Sequence, residues 1–212
     1  MSHPTDRLDR ALSTRTTLLT TYNMALDCVR RGIPGDFVEC GVFAGAQCAA
    51  MALAILHGYG AQPTLGAHID RRVHLFDSFE GIPAGGEYDL DWKAGGLKPG
   101  ESACALDRVK LNMQEWGIPE ELLVYHPGWF SEAIPNALGS NLIDGFGNRG
   151  IAMLRLDGDL YESTKPCLEL LYPLLSPGGW LIVDDFGLDG CRKAVLEYFA
   201  PSAPWPLYCQ KP

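Results

Sequence analysis

Long apolar runs are absent from this 212-residue chain. No segment approaches the roughly 20 uninterrupted apolar residues that a membrane-spanning helix requires, and the N-terminal MSHPTDRLDRALSTRTTLLTTYN is too polar for a signal peptide. A soluble protein with a cytoplasmic location and no membrane partner is expected. Basic residues are scarce: 17 Lys and Arg against 26 Asp and Glu leave a formal charge of −9 and a pI near 4.9. That balance argues against a nucleic-acid partner, whose phosphates are held by clustered cations. A small, mostly uncharged ligand or a protein-bound substrate fits better.

Several motifs are also missing. The seven cysteines, Cys28, Cys40, Cys48, Cys104, Cys167, Cys191 and Cys209, are scattered, odd in number and without a CxxC pair, so neither a zinc knuckle nor a disulfide framework is indicated. They read as core thiols in a reducing compartment. The glycine loop FVECGVFAG does not match GxGxxG and lacks the GK[ST] of a P-loop, which disfavours a nicotinamide or nucleoside-triphosphate site there. Ser78, Ser131 and Ser163 lack a GxSxG setting, which disfavours a hydrolase. The five histidines do not cluster; His126, just after a strand, is the best placed to approach a substrate, although loop histidines commonly have no catalytic role.

What is present is an alternation of apolar strands and helices. Strands are expected at 37–40, 73–76, 122–125, 151–156 and 180–183, with helices at 12–31, 47–57, 102–116, 131–138, 163–175 and 191–199. This order points to an α/β fold with a mostly parallel sheet covered on both faces. Residues 1–33 read as an N-terminal helical segment and 34–212 as one domain, interrupted by a Gly-rich stretch at about 81–100 with Tyr88, Trp92 and Lys93. That stretch reads either as a lid or substrate loop or as an ordered surface excursion.

Three acids fall at successive strand ends: Asp157 after IAMLRL, and Asp184 and Asp185 after WLIV. Carboxylates brought to one sheet edge suit a cation or a polar ligand, or else cap the following helices. In FVECGVFAG, Glu39, Gly41 and Gly45 cross a strand-to-helix turn, where glycine lets backbone approach a ligand and the helix N-terminus offers free N–H donors. Asp77 ends the second strand and suits a pair of ribose hydroxyls, or caps the next turn. The glycine loop and Asp77 at consecutive strand ends together point to an adenosine cofactor.

Five ordered segments carry a family resemblance: PGDFVECGVFAG (34–45), LFDSFEGIP (75–83), GWFSEAIP (128–135), LRLDGDLYEST (154–164) and GGWLIVDDFG (178–187). The sequence resembles the macrocin O-methyltransferase family of S-adenosylmethionine-dependent enzymes, related in fold to the metal-dependent catechol and caffeoyl-coenzyme A methyltransferases. The resemblance implies a Rossmann-like class I methyltransferase domain and Mg²⁺-assisted methylation of a sugar hydroxyl on an antibiotic or other secondary metabolite. It implies that Glu39, Gly41 and Gly45 line the methionine and ribose side of the cofactor and that Asp77, with Ser78 beside it, holds the ribose. Gly128 and Trp129 would lie near adenine, and Asp157, Asp184 and Asp185 would bind the metal. Where the family commonly has Arg and Ser in the glycine loop, this chain has Ala44 and Gln47, so those contacts must differ. The segment before the first strand is short for the family, and the tail PSAPWPLYCQKP suggests an abbreviated sheet.

An alcohol must lose its proton to attack a sulfonium methyl group. Related enzymes can place Lys or His three residues after the first metal ligand, but Leu160 stands there. Asp159 is the favoured base and Asp157, which could take the proton while also binding metal, is the alternative, because a carboxylate committed to a cation is a poorer base; capping of the helix near Ser163 is the competing role for Asp159. Tyr161 either shapes a substrate pocket or fills the core. Competing accounts are methylation of a catechol, another oxygen or a nitrogen, and a catalytically silent cofactor-binding scaffold. A homodimer is the expected assembly.

Overall fold

The computed structural model describes residues 3–8, 14–59, 71–95, 98–139, 149–199 and 208–210. In chain order the elements are α1 (Arg15–Arg30), β1 (Asp36–Cys40), α2 (Ala46–Gly58), β2 (Val73–Asp77), α3 (Leu90–Gly95), α4 (Leu106–Glu115), β3 (Leu123–Pro127), α5 (Phe130–Gly139), β4 (Ile151–Leu156), α6 (Tyr161–Leu171), β5 (Leu175–Val183), α7 (Asp189–Phe199) and β6 (Tyr208–Gln210). The strands form one sheet in the order β3-β2-β1-β4-β5-β6. The first five are parallel, and β6 runs antiparallel to β5 through Trp180↔Gln210, Leu181↔Cys209 and Ile182↔Tyr208. Tyr208–Gln210 of the tail thereby add a short edge strand to the sheet.

Both faces are covered. All residues of β1 and β4 are buried, as expected of central parallel strands packed by helices on each side. On one face Phe37, Val73, Leu75 and Met153 pack with α1, α2 and α4. On the other, Val38, Phe76, Leu154 and Leu156 pack with α5, α6 and α7. Helix α2 is apolar on nearly every side, with buried residues from Ala46 to Ile55, the pattern of a helix enclosed in a core. The buried thiols Cys28, Cys40, Cys48, Cys167 and Cys191 are all free. Among the described residues no helix is long and apolar enough to cross a membrane.

Boundaries shift for local reasons. Helix α4 begins at Leu106 rather than near 102 because Ser102 adopts a left-handed backbone, φ 57°, outside the helical region. Helix α6 stops at Leu171 and passes into a 3₁₀ turn containing Pro173, which has no N–H to continue the ladder.

The Gly-rich stretch is anchored to the domain. Its neck closes where Ile82 N–H donates to the Glu101 carbonyl and Gly100 N–H to the Ile82 carbonyl, both at 2.9 Å. Asp89, only 1% exposed, accepts from Gly86 N–H at 2.7 Å and from Tyr161 N–H at 2.9 Å. It thereby caps α6, whose own N-cap, Leu160, has no suitable side chain. Asp91 accepts from Asp189 N–H at the start of α7, 2.9 Å away. Gly190 leaves the room: a Cβ there would overlap the Asp89 carboxylate.

Two predictions follow from this packing. Asp89→Ala strands the buried Tyr161 N–H and the half-buried Gly86 N–H and is expected to cost about 1–3 kcal/mol, read as a lower urea midpoint. Gly190→Ala displaces the same carboxylate, so the double variant should cost clearly less than the sum of the singles; additive losses would refute the shared contact. The second concerns His126, whose ring stacks on Phe76 at 4.1 Å and meets His74 Nδ1 at 2.9 Å. Burial, reinforced by His74, lowers its pKa to about 4, against about 6.5 when unfolded. Below the unfolded value the unfolded chain takes up a proton that the folded chain refuses, so stability falls as pH drops from about 6.5 towards 4. Urea titrations across that range should show wild type losing ground relative to His126→Gln; parallel profiles would remove His126 from the account.

Candidate active site

Strand order reverses between β1 and β4, and a crevice opens at their carboxyl ends, the usual ligand position in an open parallel sheet. A cavity of about 520 Å³ lies there, bounded by the β1–α2 loop, the end of β2, the start of α5 and the β4–α6 loop. Four described non-glycine residues have a left-handed backbone: Phe43, Phe79, Ser102 and Asp159. Three of them, Phe43, Ser102 and Asp159, line this cavity. Such conformations cost about 1–3 kcal/mol each and collect at functional sites.

The β1–α2 loop is shaped by acceptors from outside it. Asp77 Oδ2 accepts from Val42 N–H at 2.6 Å and Phe43 N–H at 3.2 Å, while Oδ1 accepts from Phe79 N–H at 2.7 Å. Asp77 thus organises both the glycine loop and its own turn, and it still faces the cavity. Asn112 of α4 donates to the Ala44 carbonyl at 2.9 Å. Gly41 must be glycine: its φ is 95°, and a Cβ would overlap the Asp157 carbonyl oxygen. Gly45 begins α2 at φ 93° and makes room for Met113.

A buried charge cluster joins the loop to the acidic strand ends. Glu39 and Arg155 are register partners on β1 and β4, so their side chains share a face of the sheet. Alternation places Asp157 and Asp184 beyond them on that face. Arg155 is fully buried; its Nη1 donates to Glu39 Oε1 and to Asp157 Oδ2, each at 2.6 Å, and its Nη2 lies 2.9 Å from Asp184 Oδ2. Glu39 also accepts from the Cys48 thiol at 2.6 Å. Asp185 Oδ2 accepts from Asp159 N–H at 2.9 Å.

Burial opposes the Arg155 charge, but Glu39, Asp157 and Asp184 outweigh it and hold the guanidinium firmly protonated. The carboxylates are less well served. Burial raises Glu39 to about 7 even with Arg155 and Cys48 opposing it. Burial, then the charges of Asp157 and Asp184, raise Asp159 to about 6. Burial, then Asp157 and Asp159, push Asp185 up to about 9, and burial raises Asp184. One guanidinium serves three of five clustered acids, leaving an excess of negative charge. Oxygen atoms of Asp157, Asp184 and Asp185 lie within 4.8 Å of one another, a hard donor set that suits Mg²⁺ or Ca²⁺ rather than zinc.

Of the residues singled out in the sequence, Glu39, Gly41, Asp77, Ser78, Trp129, Asp157, Asp159 and Asp184 line the cavity. Gly45, Gly128 and Asp185 stand just behind it. Gly128 donates its N–H to the Asp77 carbonyl at 2.9 Å, and Ser78 Oγ donates to the Gly81 carbonyl at 3.2 Å. Capping of a helix near Ser163 does not describe Asp159, because α6 starts at Tyr161 with Asp89 as its acceptor. Tyr161 lies between helices, its hydroxyl donating to Glu197 at 2.6 Å. Sequence reasoning gave Arg155, Asn112 and Asp89 no role. A lone charge inside the apolar run IAMLRL was the available signal for Arg155, since buried charges are paired; nothing local marked the other two.

A profile of the Macrocin-O-methyltransferase (TylF) family matches residues 11–202. The chain is 39% identical over 175 residues to the 8-demethyl-8-(2,3-dimethoxy-alpha-L-rhamnosyl)-tetracenomycin-C 4'-O-methyltransferase of Streptomyces olivaceus, covering 79% of this chain and 59% of that protein. It is 34% identical to the Mycinamicin III 3''-O-methyltransferase of Micromonospora griseorubida, covering 80% and 62%. It therefore spans about three-fifths of the length of the curated relatives it matches. The solved O-methyltransferase NovP superposes with a TM-score of 0.72 at 30% identity, covering 92% of this chain and 79% of that one. The calicheamicin methyltransferase CalS11 shares the fold at a TM-score of 0.66 and 22% identity, covering 98% of this chain and 91% of that one. With a class I methyltransferase fold and a family profile that spans most of its length, the chain belongs to the macrocin O-methyltransferase family.

Proposed function

We propose that this protein transfers a methyl group from S-adenosylmethionine to a hydroxyl of a small secondary metabolite, on a sugar of an antibiotic intermediate, with Mg²⁺ assistance. The observation that carries the reading is the convergence of Asp157, Asp184 and Asp185 oxygens within 4.8 Å at a cavity walled by the glycine loop. A sugar acceptor is supported by the rhamnosyl group in the name of the Streptomyces olivaceus relative. Buried free thiols fit action in the reducing cytoplasm.

The residues fit both absent groups. Glu39, Gly41, Gly45, Asp77, Ser78, Gly128 and Trp129 would hold the cofactor, which supplies the methyl group. The left-handed Gly41 brings main chain close to the cavity, and with three N–H groups already on Asp77 the acceptor site left on its Oδ1 can take one ribose hydroxyl. Trp129, 39% exposed at the cavity wall, offers a flat apolar face for adenine. Asp157, Asp184 and Asp185 would hold Mg²⁺, which when bound lowers the pKa of an acceptor hydroxyl and orients it.

The protein's own contribution is to position the acceptor and take its proton. Asp159 and Asp157 both face the cavity. Asp157 Oδ2 is already engaged by Arg155 at 2.6 Å, whereas Asp159 is fixed through its backbone N–H to Asp185, leaving its carboxylate to accept the hydroxyl proton. Asp159 is therefore the favoured base.

Calorimetry with S-adenosylhomocysteine in Mg²⁺ buffer should show one site per chain; a folded protein that binds none would overturn the cofactor assignment. With a panel of glycosides and phenols as acceptors, Asp184→Ala at saturating Mg²⁺ should lower methyl transfer at least about 100-fold while melting cooperatively. Activity equal to wild type would sink the metal role. Asp159→Asn should lower kcat by about 100-fold or more with S-adenosylhomocysteine affinity within about threefold; an unchanged kcat would return the base to Asp157.

A further inference from the structure

Among the described residues, Arg155 is the cationic side chain that touches both halves of the proposed site. Its guanidinium reaches Glu39 on the cofactor side and Asp157 and Asp184 on the metal side, and it is 0% exposed. It also lies in the middle of β4, with Leu154 and Leu156 turned to the opposite face. Its backbone is locked in the ladder between Glu39 on β1 and Ile182 on β5. The head group is thus fixed from below by the sheet and from three sides by carboxylates, with Cys48 holding the far oxygen of Glu39.

We infer that Arg155 is a positioning residue that couples cofactor binding to metal binding, by holding Glu39 and two metal-ligating carboxylates on one rigid, planar charge. The inference rests on the proposed cofactor and metal sites and adds a link between them. A planar guanidinium presents donors in a fixed fork, whereas an ammonium is a point charge on a flexible stem. Lysine at this position therefore keeps the charge but loses the simultaneous hold. Outer partners that orient metal ligands typically contribute about 10- to 100-fold in affinity. Glu39 acts from the other side: it neutralises part of Arg155, and without its charge the guanidinium draws its counter-charge from Asp157 and Asp184 alone and opposes a cation beside them more strongly.

The test is paired titration of the full chain with Mn²⁺, followed by electron paramagnetic resonance, and with S-adenosylhomocysteine, followed by calorimetry. Arg155→Lys is expected to weaken both by about 10-fold or more while retaining a cooperative melt. Glu39→Gln touches none of the three metal ligands, yet is expected to weaken Mn²⁺ severalfold. It serves as the deciding variant should Arg155→Lys not fold. Mn²⁺ binding unchanged in Glu39→Gln, or loss of only one ligand in folded Arg155→Lys, overturns the coupling while leaving both sites standing. Absence of Mn²⁺ binding by wild type overturns the metal reading and the coupling with it.

Discussion

The structure turns on a buried cation shared by three strands. An unpaired guanidinium in a core costs several kcal/mol, and only well-placed counter-charges offset it. Arg155 finds them in Glu39 of β1, in Asp157 just past its own strand and in Asp184 just past β5. This specifies register. A one-residue slip of β4 against β1 would turn Arg155 to the face with Val38 and Leu168 and remove it from these three carboxylates. A parallel sheet otherwise held by interchangeable aliphatic contacts thus acquires a single correct alignment, and that alignment is the one that assembles the acidic edge.

The same constraint explains why the strand ends approach so closely. Asp157 N–H donates to the Cys40 carbonyl at 2.8 Å, extending the β1–β4 ladder past the last formal strand residue. The chain leaving β1 at that level must have no side chain, hence Gly41. Beyond it the loop adopts a left-handed Phe43, held by Asp77 and Asn112. Backbone strain at the cavity is therefore carried by neighbours that themselves sit on rigid elements, the arrangement that keeps a binding loop in shape before a ligand arrives.

Much of this was legible in the sequence, and what was not has a common cause. Strands β1, β2, β4 and β5 announce themselves as apolar runs bounded by glycine and acidic residues, and the acids at their ends declare the site. Helix α3 was hidden because its six residues fall in a Gly-rich stretch with no apolar periodicity. Strand β6 was hidden because three residues in a Pro-containing tail carry no pattern of their own; their partner is β5. Asp89 could not be read at all. Its bond to Tyr161 crosses 72 residues, and the missing cap at Leu160 becomes visible only when the true start of α6 is known. Arg155 was legible in principle, as a charge in a core strand, but the partners that explain it lie 116 residues before it and 29 after.

Ala44 and Gln47 line the cavity from the glycine loop. In this chain the loop is held at its main chain: Val42 and Phe43 give their N–H groups to Asp77, and the Ala44 carbonyl receives Asn112. Asn112 is in turn oriented by Arg108 Nε at 2.8 Å, and Arg108 is braced by Glu115 at 3.0 Å. None of these bonds uses the side chain at position 44 or 47. These bonds set the path of the backbone, while the side chains at 44 and 47 line the cavity. Such a division lets a side chain that faces the cavity change without moving the N–H groups and glycines that shape it.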